Sequence, residues 1–286
     1  MSLKFSPIID AAGASHGGNF SVYRLDLGRL VGFIEPVMGF DHFRMSGPTF
    51  APHPHAGFSA VSYVFEDSSG ALRNRDSIGH DIVVKPGGLV WTQAGSGVIH
   101  DEFPAQNGRE VHGLQLFVNV GSRNKSLAPQ VFHVDSAQVP TLEVNAGNIR
   151  VLSGEIDGIQ SPVSPVESFD FLEASLSAQW NYRVPRDRNV LVYVLAGEVH
   201  ITAAGTSRRL GAHQAVGIQG QGDDGELRDW ELRFDPDTPS HLLVLSGRDP
   251  REPVAVYGPF IMNTRNELER AYERYRDGLM GRLAPL

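Results

Sequence analysis

VSYVFEDSSG, residues 61–70, reads again as VLVYVLAGEV, residues 190–199. A shift of 130 lays Tyr63 on Tyr193 and Val64 on Val194. Both stretches are β-branched and aromatic runs closed by turn residues, the composition of a strand entering a turn. Farther on, KPGGLVWTQAG (85–95) matches RLGAHQAVGIQG (209–220) in the same order. Self-similarity at this scale indicates two copies of one structural unit. The copies are expected near residues 20–125 and 165–248, joined by the Pro/Ser/Gly-rich SGEIDGIQSPVSPVES, 153–168.

The remaining strand candidates, Gly88–Trp91 and Leu114–Val118 among them, are short and separated by Gly and Pro, of which the chain has 31 and 18. Many short strands with regular turns point to sandwiches or barrels. Helical spacing shows only near the C-terminus, at Leu268, Ala271, Tyr272, Tyr275 and Leu279. Thr264 and Glu267 form a capping box before it, and Gly278 can end it. This stripe is expected to dock on a barrel as a structural clasp. The fold class is therefore all-β: two tandem barrels with a C-terminal helix. The expected division is 1–130 for a metal-binding first barrel and 131–286 for a metal-free second barrel plus helix.

The 286 residues carry a formal charge of -8, which argues against binding nucleic-acid phosphates through clustered Lys and Arg. Cysteine is absent, so any transition metal must be held by nitrogen and oxygen. The N-terminus lacks a continuous apolar run after Lys4, and the longest purely apolar run, Val190–Ala196, is too short to span a bilayer. A soluble cytoplasmic protein, without membrane association, is expected.

The first copy carries what the second lacks. In APHPHAGF (51–58), His53 and His55 stand at i and i+2, and so share one face of a strand. Pro52 and Pro54 confine that strand to an edge. In GSGVIHDEFP (95–104), His100 and Glu102 repeat the spacing. Two such pairs on facing strands would bring three imidazoles and one carboxylate to one point, an open set suited to one divalent metal. Fe(II) is the expected ion, with Mn, Ni, Cu and Zn also compatible. Asp101 should alternate away. The shift by 130 sets Arg183 opposite His53 and Pro185 opposite His55, so the imidazoles are not needed to build the barrel. Histidines exposed in turns are the competing reading. The other histidines are read as structural or exposed, with His42 a candidate for orienting a ligand from behind. Ser96 sits in Ala94-Gly95-Ser96-Gly97-Val98, which fails the G-x-S-x-G elbow. No phosphate-binding loop is present.

HPHAGFSAVSYV, RDSIGHDIVVKPGGLVWTQAGSGVIHDEFP and EPVAVYGPFIMNT, in this order, resemble the motifs of the pirin family of the cupin superfamily. The resemblance implies two tandem cupin barrels, double-stranded β-helices, closed by a C-terminal helix. It implies metal, usually iron, in the N-terminal barrel alone, with His53, His55, His100 and Glu102 at the ligand positions. Where the family commonly reads H-P-H-R-G-F-E, this chain has Ala56 and Ser59. Gly87-Gly88 stands for Gly-Asp, and Asp101 for the Ser of H-S-E. Continuing the alternation from His55 places Gly57 and Ser59 on the ligand face, so Ala56 and Ser59 are expected to change the pocket mouth. Two roles follow from the resemblance. One is a quercetin 2,3-dioxygenase opening a flavonol with O2, Glu102 taking the substrate's proton. The other is a non-enzymatic, iron-dependent regulator read by a protein partner. Phe58, Phe65, Trp91 and Phe103 are candidate pocket walls, each read first as core.

Overall fold

The computed structural model describes residues 2–221 and 228–284. Two compact units emerge, neither of them contiguous in sequence. One comprises Gly13–Arg24, Met38–Gln138 and Pro250–Leu286; the other, Met1–Ala12, Leu25–Val37 and Val139–Asp249. A cut at 130/131 therefore leaves two end segments on the wrong side. The Ser2–Phe5 strand pairs with Gln214–Gln221 of the second barrel, and Leu3, Phe5 and Ile8 pack on that barrel's core. Phe260, Met262, Ala271 and Met280 of the C-terminal segment pack with Ala56 in the first barrel. Covering sheet edges and exposed apolar faces with distant chain is a long-range event that local composition does not encode. The segment 153–168 is not the join: the units divide at 138/139, and Glu155–Ile156 pairs with Ile159–Gln160 inside the second unit.

In the first barrel, Phe58–Val64 is flanked by Leu89–Gln93 and Val111–Asn119 in a seven-stranded sheet. A four-stranded sheet runs His53–His55, Val98–Pro104, Leu72–Asp76, Asp81–Val84. Phe43, Val64, Val90 and Val111 of the large sheet pack with Leu72 and Val84 of the small one. The second barrel repeats the plan. Arg188–Ala196 lies between Gln214–Gln221 and Ser240–Arg248, and its small sheet runs Trp180–Val184, Trp230–Pro236, Glu198–Ala203, Thr206–Gly211. The repeat seen in sequence is thus a repeat of topology, and Tyr63 and Tyr193 are both fully buried at its centre.

Topology also corrects the comparison between copies. The counterparts of the two histidine-bearing strands are Trp180–Val184 and Trp230–Pro236. Their inward residues are Trp180, Tyr182, Val184, Trp230, Leu232 and Phe234, all within one apolar core. Arg183 points outward, 81% exposed, to Asp229. The double variant Arg183→His, Pro185→His is accordingly expected to bind no second divalent ion in equilibrium dialysis. A second specific ion would show that the filled core can open.

The single α-helix among the described residues, α1 (Arg265–Arg276), starts at the Thr264–Glu267 capping box. Gly278 follows it at φ +75°. Its stripe docks less than the spacing suggested. Ala271 is buried and Leu268 half-buried, but Tyr272, Tyr275 and Leu279 are exposed. No described helix is long and apolar enough to cross a membrane.

Candidate metal centre

The His53–His55 strand is the edge of the four-stranded sheet, the place that Pro54 requires. It pairs with the next strand in the register Val98↔His55, Ile99↔Pro54, His100↔His53. Side chains of the two strands therefore meet on one face. The ring centroids of His53, His55 and His100 lie 4.6–4.8 Å apart, and ligand nitrogens of all three come within 4.8 Å of one another.

Hydrogen bonds from behind set two of the tautomers. His53 Nδ1 lies 3.0 Å from the Ala51 carbonyl, so it donates. His100 Nδ1 lies 3.2 Å from Asn74 Oδ1 and also donates. Both Nε2 atoms are then lone-pair nitrogens, and they face each other at 3.1 Å. In the tautomers these bonds select, both lone pairs turn to one point, which is the preparation a cation needs. His55 Nδ1 is buried without a hydrogen bond. Burial, and then the neighbouring His53, bring the His55 pKa down to about 3, against a smaller raising effect of the Pro259 carbonyl. Burial also holds His100 well below the ordinary histidine value, with His55 and His53 adding to the effect. The donor set fits a borderline divalent cation: neutral imidazoles converging in a buried site.

Glu102 shares the face of His100 but stands outside this cluster of nitrogens. Its carboxylate accepts a 2.5 Å hydrogen bond from Ser62 Oγ. Burial raises its pKa to about 7; Ser62 works against the rise, and Asp101 adds a smaller increase. Asp101 does alternate away. It takes a bidentate bond from Arg75, at 3.1 and 2.5 Å, on the outer face. Both partners are nearly buried, so removing one strands the other. Asp101→Asn is expected to leave metal affinity within about threefold while lowering stability by about 3 kcal/mol in denaturant unfolding.

Several expectations change. Gly57 turns the chain at φ +84°, and Phe58–Val64 belongs to the other sheet, so alternation from His55 does not run on to residue 59. Phe58 touches His55 (rings 5.1 Å apart) and Ser62 reaches Glu102, which sets even-numbered residues of that strand toward the site. Ser59 points to the opposite face and is buried there. Ala56 is not at an open mouth: it is fully buried against Phe260 and Met262. His42 does not orient a ligand. Its Nε2 meets His112 Nε2 at 2.7 Å, and the Phe65 ring packs against both, beyond the far end of the Phe58–Val64 strand. Of the wall candidates, Phe58 lines the site; Phe65 is with His42, Trp91 is buried core, and Phe103 lies under Arg73 and Arg75 outside. Phe117, 5.5 Å from the His55 ring, is a wall residue that sequence reading missed. Asn74 and Ser62 were missed as well. The available signal was a polar residue at an inward strand position, as in Leu72-x-Asn74 and Ser62-x-Val64.

Family models match both barrels: Pirin over residues 32–118 and the Pirin C-terminal cupin domain over 171–281. The chain belongs to the pirin family. Human pirin is 32% identical over 252 residues, spanning 87% of this chain and 83% of its own. The crystal structure of an Acinetobacter baumannii quercetin 2,3-dioxygenase superposes with a TM-score of 0.83 at 25% identity, covering 99% of this chain and 100% of that one. The nickel(II) complex of the Escherichia coli pirin YhhW shares the fold, with a TM-score of 0.64 at 16% identity, covering 87% and 100%. This pirin-family chain is thus a bicupin whose first barrel carries a histidine cluster able to hold a metal.

Proposed function

We propose that this protein is a metal-dependent oxygenase of the quercetin 2,3-dioxygenase type, acting on a flavonol or similar enol with O2 through one Fe(II). His53, His55 and His100 would hold the ion, with Glu102 as a fourth ligand that also handles a proton. The observation that carries the reading is the convergence of three imidazoles, two of them buried and held neutral, beside a carboxylate poised near neutrality. Likeness to a solved quercetin 2,3-dioxygenase over the whole chain supports it.

When bound, the cation supplies Lewis acidity for the substrate's hydroxyl and a place for O2 to react. The protein's own part is proton handling and positioning. A base with a pKa of about 7 is matched to taking a proton from an acidic enol near neutral pH. Ser62 holds the carboxylate beside the imidazole cluster, and Glu102 would turn from it to reach the ion. Phe58 and Phe117 give a flat ring an apolar wall against His55.

Glu102 makes the pH dependence specific. In the metal-free protein it is protonated below about pH 7, and a ligating carboxylate must lose that proton. His55 and His100 are already neutral there. Metal affinity is therefore expected to rise about tenfold per pH unit up to pH 7 and level off above it. Glu102→Gln should bind more weakly and lose this slope, as measured by competition with a chelator of known pH behaviour. A slope unchanged in Glu102→Gln would assign the proton elsewhere.

The reading is tested by anaerobic loading with Fe(II), followed by quercetin and O2. Turnover with carbon monoxide release in the parent, lost in Glu102→Gln under conditions that keep metal bound, is the expected result. Full metal occupancy without turnover of quercetin or other flavonols would contradict the oxygenase and favour a metal-dependent regulator.

A further inference from the structure

Asn74 sits at the centre of the Leu72–Asp76 strand with no exposed surface. It is the register partner of Glu102, so its side chain shares the face that carries His100 and Glu102. Its two amide atoms have unequal fates. Oδ1 accepts from His100 Nδ1, which fixes how the amide is turned. Nδ2 is buried and has no hydrogen-bond partner. Glu102, the nearest carboxylate in register, is engaged by Ser62 instead. An amide NH2 buried without an acceptor costs about 1–3 kcal/mol. The cost falls on the ligand-bearing face, next to a histidine whose other nitrogen points at the metal position.

We propose that Asn74 Nδ2 is a substrate-recognition donor, reserved for an oxygen of the bound ligand. The inference rests on the metal-centre reading and narrows its substrate class. A ligand that engages the ion through one oxygen and Asn74 through a neighbouring one must carry a vicinal oxygen pair, as in an α-hydroxy ketone, a catechol or a hydroxamate. A site that buries an unpaired donor rejects analogues lacking the second oxygen more strongly than it rejects differences in apolar shape. Asn74 thus has two separable roles: its oxygen positions His100, and its nitrogen reads the ligand.

Two variants separate these roles. Asn74→Asp keeps an acceptor for His100 Nδ1 but has no N–H. Asn74→Leu removes both without adding charge. Each is loaded with Co(II), whose visible spectrum reports the site, and titrated with acetohydroxamate at saturating metal. Asn74→Asp is expected to hold Co(II) within about threefold of the parent, and Asn74→Leu about tenfold more weakly, as for loss of a group behind a ligand. Both are expected to bind acetohydroxamate at least about tenfold more weakly than the parent. The leucine arm shows that the loss is not charge repulsion, and the aspartate arm that it is not loss of His100 positioning. Acetohydroxamate affinity within twofold of the parent in both variants would overturn the proposal, as would a Co(II)-loaded parent that does not bind it. Flavonol turnover is not used. A protein that recognises hydroxamate through Asn74 yet leaves flavonols unchanged would refute the oxygenase reading and not this one.

Discussion

His100→Ala is expected to lower divalent-metal affinity by about a hundredfold or more. The estimate follows from dividing an apparent metal-binding free energy of about 10–16 kcal/mol among four ligands. His100 also connects the two ligand-bearing strands. It is the register partner of His53 and the group that Asn74 orients. Removing it leaves His53 and His55 on one short edge strand with Glu102, which Ser62 already engages, and that remnant holds a divalent ion poorly. Isothermal titration with Ni(II) and Fe(II) under anaerobic conditions measures the loss. A change of less than tenfold would mean that the ion is held somewhere else.

A large effect on stability is also expected at Lys125. Its ammonium is buried and donates to three acceptors: the Gly57 carbonyl at 2.7 Å, Asn119 Oδ1 at 2.5 Å and the Ile261 carbonyl at 3.1 Å. Three N–H donors meet three acceptors, drawn from the turn after His55, the end of the Val111–Asn119 strand and the hairpin of Ala255–Tyr257 and Phe260–Met262. Glycine is required at the first of these. With φ at +84°, a Cβ on Gly57 would run into the Ile261 carbonyl. Lys125→Met keeps the apolar stem and strands the acceptors. The expected cost is about 3 kcal/mol, or roughly 6–12 °C in Tm for a domain of this size. Calorimetry of the metal-free protein checks it, so that metal linkage does not enter. A loss under 1 kcal/mol would show that the acceptors find water or one another.

The parts of this architecture that were legible in the sequence are those governed by short-range rules. Period-two spacing placed His53 with His55 and His100 with Glu102, and set Asp101 on the outer face, where Arg75 meets it. Pro54 marked the edge strand, and Thr264 with Glu267 marked the helix start. What escaped depended on pairing across the sheet or on distant chain. Alternation carried past Gly57 misplaced Ser59, because a left-handed turn moves the chain from one sheet to the other. Asn74 gains its meaning only from its register with Glu102. Lys125 gains its meaning from a carbonyl of Ile261, 136 residues away. A shift of 130 aligned the central strands of the copies correctly but slipped by one at the histidines, and a slip of one reverses inside and outside. Arg183 was therefore compared with His53, although the inward residues of its strand are Tyr182 and Val184.

The central claim is one metal, in the first barrel, on these four side chains. Anomalous X-ray scattering from crystals of the protein reconstituted with Fe(II) or Ni(II) tests it most directly. The expected map has one strong peak per chain, within bonding distance of nitrogens of His53, His55 and His100 and of a carboxylate oxygen of Glu102. A strongest peak at His42 and His112, a second of equal height in the other barrel, or a peak with Glu102 still turned to Ser62 would contradict it.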